Sequence, residues 1–157
     1  MTDETWRMRV VLRVAPEPAW PAGIRASTFE PEDARALHAL LAHGYRRGGG
    51  SVEPFETWLP AMTGDAEFDP TLWFLAWAED RLAGAALCWT SAFVKDIVVH
   101  ETWRRRGLGE ALLRRVLAAF AARDAAAVEL KVEATNAGAV RLYERLGFAV
   151  VERIPAG

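Results

Sequence analysis

The stretch Thr71–Ala78 reads TLWFLAWA, apolar on nearly every residue rather than on alternate ones. A strand patterned this way offers no face to water, so it belongs in the middle of a sheet that is covered on both sides. The fold must therefore bring helices to two faces. Glu79-Asp80-Arg81 turns the chain, and Leu82–Thr90 returns antiparallel. Phe93–Val99 (FVKDIVV) is the next strand, and Val128–Glu133 alternates apolar and charged side chains with a period of two. A short first strand is expected at Gly23–Ala26, and a last one begins at Phe148–Val151.

Helical segments separate these strands. Pro31 suits the first turn of a helix, where Glu30, Glu32 and Asp33 match the positive end of the dipole. Leu37, Leu40 and Leu41 form its apolar stripe, and the spacing predicts an end near His43-Gly44, before a flexible loop at Arg46–Ser51 (RRGGGS). Pro54–Met62 reads as a short helix with Phe55, Trp58, Leu59 and Met62 inward. A third helix is expected over Arg104–Ala122, with Leu108, Leu112, Val116 and Phe120 spaced at four. Ala137–Leu146 is the last, with Asn136 at its N-cap and Gly147 past its end. The order β-α-α-β-β-β-α-β-α-β describes a mixed α/β fold with helices on both faces of one sheet. Residues 1–20 stay open between two readings: an extra strand at Arg7–Val14, or a loose arm.

At 157 residues the chain suits one domain, placed at 21–157 behind an N-terminal extension of residues 1–20. Hydrophobic residues at 52% and charged residues at 25% exclude a disordered chain. No apolar run approaches the ~18 residues of a membrane span. Met1–Trp20 carries Asp3, Glu4, Arg7, Arg9 and Arg13 around Val10–Leu12, unlike a secretory leader, so a cytoplasmic protein without a membrane partner is expected. The lone Cys88 sits in an apolar run and reads as a buried thiol, and His38, His43 and His100 show no zinc spacing. No metal is expected.

Charge is unevenly spread. Glu101–Arg123 holds six arginines against two glutamates, and Thr28–Asp80 holds ten acids against three arginines. The basic cluster lies in Arg104-Arg105-Arg106-Gly107-Leu108-Gly109, directly after a strand and opening a helix. Glycines let backbone N–H groups approach a ligand, and the helix adds its unpaired donors and dipole, which together suit a phosphate. A P-loop would need Gly-Lys-Ser/Thr, but Glu110 and Ala111 follow; a dinucleotide fingerprint would need a third glycine where Leu112 stands. A net charge of −2 with only two lysines, Lys95 and Lys131, argues against a nucleic-acid partner.

Arg104-x-x-Gly107-x-Gly109 resembles the acetyl-CoA signature of the GNAT family of N-acetyltransferases. Asn136-x-x-Ala139-x-x-x-Tyr143, 27 residues beyond Gly109 and followed by Leu146-Gly147-Phe148, resembles that family's second motif. The resemblance runs from about Gly23 to Val151. It implies a mostly antiparallel sheet whose fourth and fifth strands, Phe93–Val99 and Val128–Glu133, are parallel and splay apart. Acetyl-CoA is then the expected co-substrate. Backbone groups of Ile97, Val98 and Val99 would pair with the pantetheine arm, and the N–H groups of Arg105, Arg106, Gly107, Leu108, Gly109 and Glu110 would take the pyrophosphate. Arg104 would support the turn, and Asn136 would meet the pantetheine.

The implied reaction is attack of a primary amine on the thioester, with Tyr143 as general acid and the Val99 N–H for the oxyanion. Asp96 and Glu133 are the candidate bases; Lys95 stands where some relatives carry glutamate. The acceptor pocket is expected between Tyr45 and Asp69, where Tyr45, Phe55 and Trp58 combine with five acids to suggest a small cationic amine. A homodimer is compatible with this reading. The competing function is a non-catalytic acyl-CoA sensor or partner-binding module on the same fold.

Overall fold

The computed structural model describes residues 3–13, 17–48 and 51–156. Its strands are β1 (Glu4–Val11), β2 (Ile24–Thr28), β3 (Trp73–Ala78), β4 (Arg81–Trp89), β5 (Phe93–Val99), β6 (Ala127–Glu133) and β7 (Ala149–Pro155). Its helices are α1 (Ala34–Gly48), α2 (Phe55–Thr63), α3 (Leu108–Ala122) and α4 (Ala137–Arg145). The strands form one sheet in the order β2-β3-β4-β5-β6-β1-β7. Every neighbouring pair is antiparallel except β5 and β6.

The doubly apolar strand β3 lies one strand in from the β2 edge, and its alternation feeds two cores. Trp73, Leu75 and Trp77 pack with Leu37, Leu41, Trp58 and Met62 of α1 and α2. Phe74 and Ala76 face the opposite way, toward Leu112, Val116 and Phe120 of α3 and Val140 of α4. Each large side chain so buried contributes roughly 1.5–3 kcal/mol relative to exposure.

Residues 4–11 form β1, inserted between β6 and β7. Met8 and Val10 enter the α3 core, and Arg7 bonds Glu129 of β6 and Glu152 of β7, both at 2.9 Å. This strand changes the count. The parallel pair consists of the two strands expected, but they are fifth and sixth in chain order, not fourth and fifth.

Three boundaries move for physical reasons. The helix expected to end at His43-Gly44 continues to Gly48, absorbing part of the expected Arg46–Ser51 loop, of which residues 49–50 lie outside the described residues. Gly44 is not a stop signal; it lets α1 approach β5, since a Cβ there would stand 2.6 Å from Val98 Cγ2. The helix expected from Arg104 starts at Leu108, because Arg105 (φ 61°) and Gly107 (φ 83°) leave the helical region. The strand expected from Thr71 starts at Trp73, because Pro70–Leu72 is a 3-10 turn capped by Asp69.

Gly44→Ala should lower stability by about 1–2 kcal/mol in urea unfolding, the clash with stiff Val98 outweighing the better helix propensity of alanine. An unchanged or raised midpoint would contradict the packing argument.

Candidate active site

β5 and β6 pair only at Phe93↔Glu129 and Val94↔Leu130 and then part. Each strand stays bonded on its other side: β5 to β4 as far as Val99, and β6 to β1 along its whole length. The gap therefore opens between two strands that are both held. His100 N–H donates to the Ala83 carbonyl at 2.7 Å, so the alternation of a strand turns the Val99 and Ile97 N–H groups the other way, into the gap. A cleft of ≈ 1030 Å³ follows the gap and reaches the start of α3.

A β-bulge sits where the strands part. Leu87 pairs with Asp96 and Cys88 with Val94, leaving Lys95 as the extra residue of β5. Without the bulge Val94 and Asp96 would share a face. With it, Val94 enters the α3 core while Asp96 turns toward α1. There Tyr45 of α1 donates its hydroxyl to Asp96 Oδ1, and Lys95 Nζ stands 3.5 Å from Oδ2. Asp96 is the buried charged side chain among the described residues, 8% exposed. Burial, and then the Asp96 charge, push the Tyr45 phenol well above its usual range, so it remains a proton donor. Glu133 and Lys131 of β6 line the cleft on this same face, because Val128, Leu130 and Val132 take the other.

Tyr143 and Asn136 belong to the α3/α4 side. Tyr143 is 6% exposed, packs against Phe148 at 5.9 Å between ring centres, and lines the cleft. Burial pushes its phenol up to about 12. Asn136 Oδ1 accepts the Ala139 N–H at 3.2 Å as helix N-cap, and its side chain also borders the cleft. Gly107 caps α3 with no side-chain hydrogen bond, so first-turn N–H groups stay available at the end of the gap. Arg104, Arg105, Gly107, Leu108, Gly109 and Glu110 border the cleft there, whereas Arg106 lies over the Trp103 ring at 4.8 Å.

The sequence reading missed how Glu110 is neutralised. Arg114 reaches one of its oxygens at 3.1 Å and Arg145 the other at 3.0 Å, tying α3 to α4. A free carboxylate at this mouth would repel a phosphate. Only the i,i+4 spacing of Glu110 and Arg114 was legible in advance. The expected acceptor-pocket residues divide. Tyr45 lines the cleft; Phe55 and Trp58 do not. Trp58 is core, 5% exposed and packed on Trp73, while Phe55 lies beneath the Arg35 guanidinium at 4.3 Å. Acids of that segment hold turns: Asp69 accepts from Thr71 N–H and Arg123, Glu67 from Ser91 N–H, and Asp65 from Glu67 N–H. Cys88 is buried and its thiol pushed up by desolvation, unsuited to nucleophilic work. Among the described residues no His, Cys, Asp and Glu cluster could hold a metal, and no helix is long and apolar enough to cross a membrane.

The description "Acetyltransferase (GNAT) family" fits residues 33–148 of this sequence. The chain belongs to that family. It is 35% identical to a mycothiol acetyltransferase of Thermobispora bispora over 91% of its own length and 52% of the relative's. A GCN5-related N-acetyltransferase from Sphaerobacter thermophilus matches 98% of this chain and 50% of its own, with a TM-score of 0.85 and 33% identity. The ribosomal-protein-S18-alanine N-acetyltransferase of Escherichia coli matches 79% of this chain and 76% of its own, with a TM-score of 0.64 and 27% identity. The chain thus spans about half the length of the mycothiol acetyltransferase it matches.

The two arginines hold the Glu110 carboxyl below its usual range, Arg145 first and then Arg114. A depressed folded-state value gives stability that is present above the unfolded value, about 4.3, and lost as pH falls. Glu110→Gln should therefore be destabilising at pH 7, with the gap from the native protein closing below about pH 4. Urea midpoints at the two pH values check this; a gap independent of pH would contradict it.

Proposed function

We propose that this chain transfers the acetyl group of acetyl-CoA to the primary amine of a small molecule or peptide. The observation that carries the reading is the split between β5 and β6, aimed at the start of α3, where no side chain caps the first-turn N–H groups. Free backbone groups on Ile97 and Val99 offer the edge of a strand to an extended pantetheine arm. Arg105 to Glu110 offer N–H donors and the helix dipole to the pyrophosphate, with Arg104 and Arg105 adding positive charge. Asn136 supports the pantetheine side through its amide. Residues 21–157 form the acetyltransferase domain together with β1, which lies inside its sheet.

The two faces of the cleft divide the chemistry. On the α1 face an ammonium acceptor is drawn to Asp96 and loses its proton there before attack. Tyr45 fixes the carboxylate's orientation by holding one oxygen. Glu133, exposed at the end of β6, is the weaker candidate base. The neutral amine adds to the thioester carbonyl, the Val99 N–H stabilises the oxyanion, and collapse expels the CoA thiolate. Tyr143 on the opposite face donates a hydrogen bond to that sulfur. Its buried phenol is a weaker acid than a thiol near 8.5, so full proton transfer is uphill and solvent completes it.

Acetyl-CoA with a panel of amines should release thiol. Tyr143→Phe and Asp96→Asn should each lower kcat by about 10²-fold or more while CoA binding persists. Heat on CoA titration without thiol release from any amine would favour the acyl-CoA sensor instead.

A further inference from the structure

The acceptor end of the cleft carries a feature that plain amine acetylation does not use. Both lysines of the chain, Lys95 and Lys131, line it. A lone ammonium entering here gains attraction from Asp96 and meets repulsion from Lys95, whose Nζ stands 3.5 Å from the same carboxylate. That spacing is longer than the ~2.7–2.9 Å of a good charge-assisted hydrogen bond, so the lysine is not fully engaged by its neighbour. Asp96 Oδ1 is already held by Tyr45, independently of Lys95.

Depth orders the two charges. The Asp96 side chain is 6% exposed and the Lys95 side chain 43%. The carboxylate lies deeper and the ammonium nearer solvent. The bulge makes this juxtaposition, since it places Lys95 as an extra residue immediately beside Asp96. Lys131, on the face of β6 that carries Glu133, adds a second cation to the same region. A ligand that leads with an ammonium and trails a carboxylate would complement both charges.

We propose that the acceptor is an α-amino acid, its amine directed to Asp96 and its carboxylate recognised by Lys95. The inference rests on the amine-acetylation reading above and narrows its substrate class. A carboxylate beside the reacting amine turns Lys95 from a like charge into a partner. An acceptor without it leaves that lysine repelling the incoming ammonium, and the difference between the two is a matter of specificity.

The test compares the twenty protein amino acids with their C-terminal amides as acceptors, in native protein, Lys95→Met and Lys95→Arg, with CoA titrations in parallel. The native protein should favour at least one free amino acid over its amide by roughly tenfold or more in kcat/KM, the scale of one charged hydrogen bond. Lys95→Met should abolish that preference, raising the KM for the acid and lowering it for the amide, and Lys95→Arg should retain it. Equal use of acid and amide by the native protein would overturn the proposal. So would a Lys95→Met variant that slows both acceptors alike, which would assign the lysine to Asp96 alone. CoA binding, with thiol released by simple amines but by no amino acid, would overturn this inference and leave acetyl transfer standing. Absence of CoA binding would overturn both.

Discussion

Two neighbouring strands that stop bonding to each other, while each keeps its other partner, are the constraint on which this molecule depends. Backbone N–H and C=O groups are obligatory hydrogen-bonding groups, and a buried unpaired one costs about 1–3 kcal/mol. Beyond Val94 and Leu130 the facing edges of β5 and β6 escape that cost by opening on a cleft. The gap survives because β4 and β1 clamp the outer edges. β1 is thus more than decoration at the N-terminus: its seven-residue register with β6, and the Arg7 bridge between Glu129 and Glu152, hold β6 away from β5.

From that gap the division of the site follows. Alternation along β5 and β6, reset by the bulge at Lys95, sends Asp96 and Glu133 to one face. The other face belongs to α3 and α4, which bring Tyr143, Asn136 and the arginine- and glycine-bearing turn before α3. Carboxylates and the Tyr143 phenol are thereby held on opposite sides of one channel, the arrangement that the proposed acid and base roles require. The Glu110 pairings with Arg114 and Arg145 serve the same end, because they remove a repulsive charge and join the two helices that frame the mouth.

Much of this was legible from the residues. The apolar run at Trp73–Ala78, the strict alternation of Val128–Glu133 and the four-residue spacing from Leu108 to Phe120 each name an element, because burial dictates the pattern. Arg104 to Gly109 and Asn136 to Tyr143 marked two segments that the fold brings to one cleft, each legible because local chain geometry makes it. Long-range consequences were not legible. No pattern in Glu4–Val11 says that it enters between β6 and β7, where Met8 and Val10 find their core. Gly44 looks like a helix stop until Val98 is seen 2.6 Å from where its Cβ would be. Trp58 and Phe55 resemble a substrate wall only while Trp73 and Arg35 are out of view. The bulge, which decides where Asp96 points, leaves no mark in a sequence that reads as one continuous strand.

Amide hydrogen exchange with and without CoA tests the central claim most directly. The account predicts that CoA slows exchange at the Ile97 and Val99 amides and across Arg105–Glu110, while amides of β5 already bonded to β4, such as that of Val98, change little. Protection elsewhere, with the β5 edge and the start of α3 exchanging as fast as before, would contradict it.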